Sequence, residues 1–122
     1  MMKKILIIDD NIDWLNVFSM RLQNAGYEVT AVFDTIQAKR KITEIKPDVI
    51  FLDIMMPAGG GLGILEFIRK NTDTFNTPVI IITGSTNEEV RREAEKAGIA
   101  GYYIKPIDAG QILEKLEMLL GK

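Results

Sequence analysis

The chain has 122 residues, of which 47% are apolar, a formal net charge of −2, and neither cysteine nor histidine. That apolar fraction supplies a core and excludes a disordered chain, and the near-neutral balance gives no reason to expect nucleic acid or an acidic membrane as partner. Disulfides, thiolate or imidazole metal sites and histidine-based catalysis are all excluded, so any chemistry must use carboxylates, lysine, hydroxyls or backbone.

The first predicted element is the strand "KILIID" (4–9), apolar on both faces until it meets the adjacent carboxylates Asp9 and Asp10. Leu15, Phe18, Leu22 and Ala25 then recur at helical spacing over 12–25, and Gly26 stops the helix. Trp14, just past the acidic pair, has two readings, a neighbour of the site or, more often for such a residue, a simply packed aromatic, and the second is the expectation. A second strand, "EVTAVF" (28–33), precedes a helix capped by Asp34 that runs to Ile45, before Pro47. The third strand, "DVIFLD" (48–53), is again apolar up to an aspartate. Gly59–Gly61 read as a loop and 62–70 as a helix with Leu65 and Ile68 inward. "PVIIIT" (78–83) is the fourth strand, followed by an Asn87-capped helix with Val90, Ala94 and Ala97 on one face and Gly98 as its stop. "GYYIK" (101–105) is a short fifth strand, and Asp108 caps a last helix carrying Ile112, Leu116 and Leu119. No segment reaches the apolar length of a membrane span, no charged-then-apolar leader precedes the first strand, and Met1-Met2 leaves the natural start open by one residue.

Five βα units with near-continuous apolar strands predict an α/β fold: a parallel sheet covered by helices on both faces, one domain over 1–122. In such sheets the site lies beyond the C-terminal strand ends, at the switch point in strand order. Those ends carry Asp9-Asp10, Asp53, Thr83 and Lys105. Taken singly, each has a plain structural role: a strand-end acid, an N-cap at Asp10, a strand threonine, a surface lysine. Together they are a cluster of three carboxylates, a hydroxyl and an amine. Three anions repel and raise at least one pKa unless cations join them. Lys105 supplies one cation, and hard oxygen ligands favour magnesium for the rest. Asp53 can then act as nucleophile toward a phosphoryl group, with Lys105 and the metal neutralising the phosphoryl oxygens and Thr83 donating to one of them.

With "IIDDN" (7–11), "FLDIMMPAGGG" (51–61), "IIITGS" (80–85) and "GYYIKPI" (101–107), the chain resembles the receiver domain of two-component response regulators over essentially its whole length. The resemblance implies a flavodoxin-like doubly wound (βα)5 sheet in the order 2-1-3-4-5. It implies Asp53 as phosphoacceptor, and magnesium held by Asp9, Asp10, Asp53 and the backbone carbonyl of Met55. Thr83 is then the switch hydroxyl, Lys105 the phosphate-binding lysine and Tyr102 the switch aromatic, with Tyr103 as rival. A cis Lys105–Pro106 bond is also implied. Gly60 stands where the family commonly has a polar or acidic residue, which reads as a looser loop. Met55 and Ser85 offer no strong acid or base to orient water, so no special acceleration of dephosphorylation is expected.

The function this implies is a phosphorylation-dependent signalling switch, not an enzyme acting on other substrates. Its phosphoryl group comes from a histidine kinase or histidine phosphotransfer protein, because the chain has no histidine. The reader of the switch is a downstream protein or a second copy, binding the face of the fourth helix, fifth strand and fifth helix. A cytoplasmic location is expected, with no direct nucleic-acid or membrane contact. Whether it is a stand-alone receiver or part of a larger regulator stays open. A magnesium-dependent phosphatase of the haloacid dehalogenase type is the enzymatic alternative. It calls for an aspartate two residues after a strand-one nucleophile, whereas Asn11 and Ile12 follow the acidic pair. A phosphorylation-independent scaffold usually lacks some of the acidic or lysine positions, all present here. A nucleotide-binding module is disfavoured because no glycine-rich turn follows strand one.

Overall fold

In the computed structural model, which describes residues 2–57 and 60–121, five strands alternate with five helices. They are β1 (Lys4–Ile8), α1 (Ile12–Asn24), β2 (Glu28–Val32), α2 (Thr35–Ile45), β3 (Val49–Leu52), α3 (Gly60–Lys70), β4 (Val79–Thr83), α4 (Glu88–Ala97), β5 (Gly101–Ile104) and α5 (Ala109–Leu120). All pairings are parallel and the strand order is β2-β1-β3-β4-β5, as the resemblance implied.

Successive strand side chains point to opposite faces, so strands apolar throughout build two cores at once. Leu6, Ile8, Ile50, Leu52, Val79 and Ile81 pack against Ala38, Ile42, Ile64, Leu65, Ile68 and Ala94 of α2, α3 and α4. Ile5, Ile7, Val49, Phe51, Ile80 and Ile82 pack against Leu15, Phe18, Leu22, Ile112 and Leu116 of α1 and α5. Each such Val, Leu, Ile or Phe side chain, fully buried, contributes about 1.5–3 kcal/mol. The sheet is therefore doubly wound, and its connections reverse direction between β1 and β3.

Asp34, Asn87 and Asp108 cap their helices as expected, each side chain accepting from backbone N–H groups of the first turn. The cap of α1 is Asn11, whose Oδ1 accepts from the Trp14 N–H at 3.1 Å, so Asp10 does not serve as the cap. The 60–61 segment differs from the expected loop: α3 begins at Gly60, while Gly59 lies outside the described residues. The reason is steric. A Cβ at Gly61 would stand 2.2 Å from the Ile54 carbonyl oxygen, and one at Gly60 2.8 Å from Thr35 Cγ2. Gly61 lets the start of α3 press onto the backbone after β3, and Gly60 lets it lie close to Thr35 of α2.

Arg69, near the end of α3, is half-buried with backbone carbonyls for partners. Its guanidinium donates to Ala97 and Gly98 at the end of α4 and to Thr74, Phe75 and Thr77 before β4. Gly98 itself sits at φ +87°, where side-chain-bearing residues are strained. No helix among the described residues is long and apolar enough to cross a membrane.

Candidate phosphoacceptor site

The strand ends position the acids. Asp9 and Asp53 stand one residue beyond β1 and β3, not inside them. Each still gives its N–H to a neighbouring strand, Asp9 to Val32 O (3.2 Å) and Asp53 to Ile8 O (2.9 Å). Their carboxylates thus project from the sheet edge at the reversal point. Asp9 is 1% exposed and Asp53 8%, whereas Asp10 is exposed. One carboxylate oxygen from each of the three lies within 4.8 Å of the other two.

Lys105 follows β5, which lies at the sheet margin, and its N–H is fixed by Thr83 O at 2.7 Å. Its ammonium reaches across to Asp9 Oδ2 at 2.6 Å and lies 3.6 Å from Asp53 Oδ2. The Lys105–Pro106 bond is cis, as expected. One ammonium faces three carboxylates, so the cleft stays anionic. Burial is the main force raising the Asp9 pKa; the Lys105 hydrogen bond and the Asn11 N–H oppose it, and the Asp53 charge adds to it. Mutual repulsion of the acids, the cause expected from the sequence, is thus the smaller part. Asp53 Oδ1 also accepts from Met55 N–H at 2.9 Å.

Thr83 is fully buried at the end of β4, and its Oγ1 accepts from Ser85 N–H at 3.2 Å, which leaves the hydroxyl proton available to donate. The two tyrosines part company by strand alternation. Tyr102 packs on the α2–α4 side of the sheet and Tyr103 on the α1–α5 side. The Tyr102 hydroxyl is buried without a hydrogen-bond partner among the described residues, and the Arg91 guanidinium lies 4.8 Å from its ring centroid. A cleft of about 120 Å³ adjoins it, lined by Ser85, Asn87, Glu88, Arg91 and Ile104.

Trp14, expected as a packed aromatic, lies beside the site lysine. Its indole is not simply packed: the Lys105 ammonium stands 4.3 Å from the ring centroid. The signal was its place in the first turn of α1, directly after the acidic pair, where side chains lean back toward the N-terminus and so toward the site.

A cluster of hard carboxylate oxygens at mutual ligating distance, with no histidine or cysteine in the chain, fits magnesium or a similar hard cation. The fold and this cleft define a class: a small doubly wound α/β protein whose acidic site sits at the topological reversal. The chain belongs to the response regulator receiver domain family, which matches residues 5–117. It is similar to the chemotaxis response regulator CheY4 of Vibrio cholerae, at 32% identity and TM-score 0.88, covering 98% of this chain and 100% of that one. The receiver domain of the sensor histidine kinase PA1611 of Pseudomonas aeruginosa is 28% identical at TM-score 0.88, with full coverage of both, and holds a magnesium ion in its active-site cleft. Among curated proteins, the DNA-binding dual master transcriptional regulator RpaA of Synechocystis is 30% identical over 119 residues, 98% of this chain and 49% of its own length. The phosphate regulon regulator PhoB of Pseudomonas aeruginosa is also 30% identical, over 97% and 52% respectively. The chain spans about half the length of these two curated relatives.

Proposed function

We propose that Asp53 is the phosphoacceptor of a two-component signalling switch, and that residues 1–122 form the receiver unit carrying it. The observation that carries this reading is the ammonium of Lys105 held 3.6 Å from a nearly buried carboxylate at the sheet's reversal point. An Asp53 carboxylate oxygen attacks the phosphorus of a phosphohistidine on a histidine kinase or phosphotransfer protein. The new O–P bond forms as the P–N bond breaks, and the imidazole leaves with a proton. Lys105 binds the phosphoryl oxygens, and Thr83 donates its hydroxyl proton to one of them. Asp9, Asp10, Asp53 and the Met55 carbonyl hold magnesium, which when bound neutralises charge on the phosphoryl group. The chain phosphorylates and dephosphorylates only itself, in the cytoplasm. The test uses acetyl phosphate and intact-mass spectrometry. One phosphoryl group should be gained with magnesium and none in chelator; equal labelling in chelator would remove the metal from the reading.

The signal is read through Tyr102. A phosphoryl group on Asp53 adds charge and acceptor oxygens; drawing the Thr83 hydroxyl toward them frees space under the 84–87 loop. Tyr102, with a buried and unpartnered hydroxyl, is the large side chain poised to answer by a rotamer change. The face of α4, β5 and α5 then differs between states and is where a downstream protein or a second copy binds. Beryllofluoride should shift the NMR signals of Tyr102 and α4 in the parent, and Thr83→Ala should blunt those shifts while still accepting phosphate. Changes confined to 55–57 and 83–87 would leave Tyr102 out of the pathway.

A further inference from the structure

We infer that Trp14 is a positioning residue for Lys105. Lysine carries its charge on a flexible four-carbon stem, and much rotamer freedom must be lost to hold it at one point. Two acids, Asp9 and Asp53, pull the Lys105 ammonium into the cleft, at 2.6 and 3.6 Å. The Trp14 indole supplies a third, uncharged hold at 4.3 Å. An indole face attracts an ammonium more strongly than any other natural aromatic. Unlike a carboxylate, it adds no net charge to an already anionic site.

The ring is itself braced. The Asn11 cap accepts from the Trp14 N–H and fixes the first turn of α1. One helical turn on, Phe18 stacks on the indole with centroids 4.7 Å apart, and Phe18 meets Phe51 of β3 edge-on at 5.1 Å. A chain of three rings therefore runs from the core to the lysine. Trp14 is only half-buried and also walls an open groove with Val17, Arg21, Pro106 and Ile107. Packing alone does not require an indole there, whereas an indole face is the best aromatic surface for an ammonium. This inference rests on Lys105 being the phosphoryl-binding cation, and it adds that Trp14 limits where that cation can go.

Trp14 is the chain's single tryptophan, so fluorinated tryptophan supplied during expression alters this ring alone. Successive fluorines drain the negative ring face while nearly keeping its shape. The labelling rate with acetyl phosphate should fall stepwise with fluorination, by about three- to tenfold at tetrafluorotryptophan. The loss should appear in the maximal rate more than in the half-saturating donor concentration, and Trp14→Phe should retain more activity than Trp14→Leu. In the parent, the Lys105 ε-methylene protons should be shifted upfield by the indole ring current, and in Trp14→Leu that shift should vanish. Tetrafluoro protein labelling at the parent's rate, or Lys105 signals unmoved in Trp14→Leu, would overturn the inference. Should the parent take no label at all, it is the phosphoacceptor reading that fails, and the Lys105 shifts still decide whether Trp14 holds the ammonium.

Discussion

Lys105→Met should destabilise the metal-free protein by about 3–5 kcal/mol at neutral pH, the usual cost of leaving one partner of a buried ion pair alone. Asp9 is 1% exposed, and Lys105 is its only ion-pair partner among the described residues. The loss should depend on pH in a defined direction. Burial already raises the Asp9 pKa, and the Lys105 hydrogen bond is the largest force pulling it back down. Removing the lysine raises it further. Between the ordinary carboxylate value and the raised one, the folded state binds more protons than the unfolded state, so stability falls as pH rises through that interval. The deficit of Lys105→Met against the parent should therefore shrink on acidification toward the ordinary carboxylate range. Magnesium should also narrow it by mass action, since the site without lysine carries one more uncompensated charge. The double variant Asp9→Asn/Lys105→Met should be more stable than Lys105→Met alone. Urea titrations across pH 4–8, in chelator and in magnesium, measure all three arms (the pH range set at about the span over which carboxylates titrate). A deficit that grows on acidification would contradict the account.

Asp53→Asn should lose phosphoryl labelling entirely and yet gain stability in chelator, by on the order of 1 kcal/mol. The loss follows from the chemistry, because an amide oxygen is a poor nucleophile toward phosphorus. The gain follows from the electrostatics. The side-chain amide oxygen of the variant can still accept the Met55 N–H, while one of the charges that disfavours ionised Asp9 is gone. Opposite movements of function and stability distinguish a site carboxylate from a structural one. Intact-mass labelling together with denaturant midpoints would check both. Label appearing on another residue, or a variant less stable than the parent, would count against Asp53 as phosphoacceptor.

Five strands and five helices were legible because the periodicities are clean and Asp34, Asn87 and Asp108 advertise their helices. The acidic site was legible for a related reason: each apolar run halts at a residue that an apolar run does not need. The 60–61 segment misled because glycine signals both a turn and a close approach, and only the position of the Ile54 carbonyl distinguishes the two. Asp10 and Asn11 are both good caps, and which one serves depends on where the first helical turn falls. The contact between Trp14 and Lys105 joins residues far apart in the chain. The place of Trp14 after the acidic pair sets it near the site, but the contact itself follows only once β5 is placed at the sheet margin with its lysine turned inward.

Arg69 bears on how a signal can travel through α4. The far end of that helix is pinned at the Ala97 and Gly98 carbonyls by a guanidinium that simultaneously grips the approach to β4. Its near end is held by the Asn87 cap and by Arg91 against Tyr102. On the proposed switching, a tug on the 84–87 loop would meet a fulcrum at Gly98, and α4 should swing instead of sliding. Ten residues make a lever arm of about 15 Å. The largest excursion is then expected at Glu88 and Glu89, with the turn around Glu95 and Lys96 almost still. A partner sensitive to the switch would gain most by gripping the first turn of α4, where a small movement at Thr83 would be magnified before it fades toward the pivot.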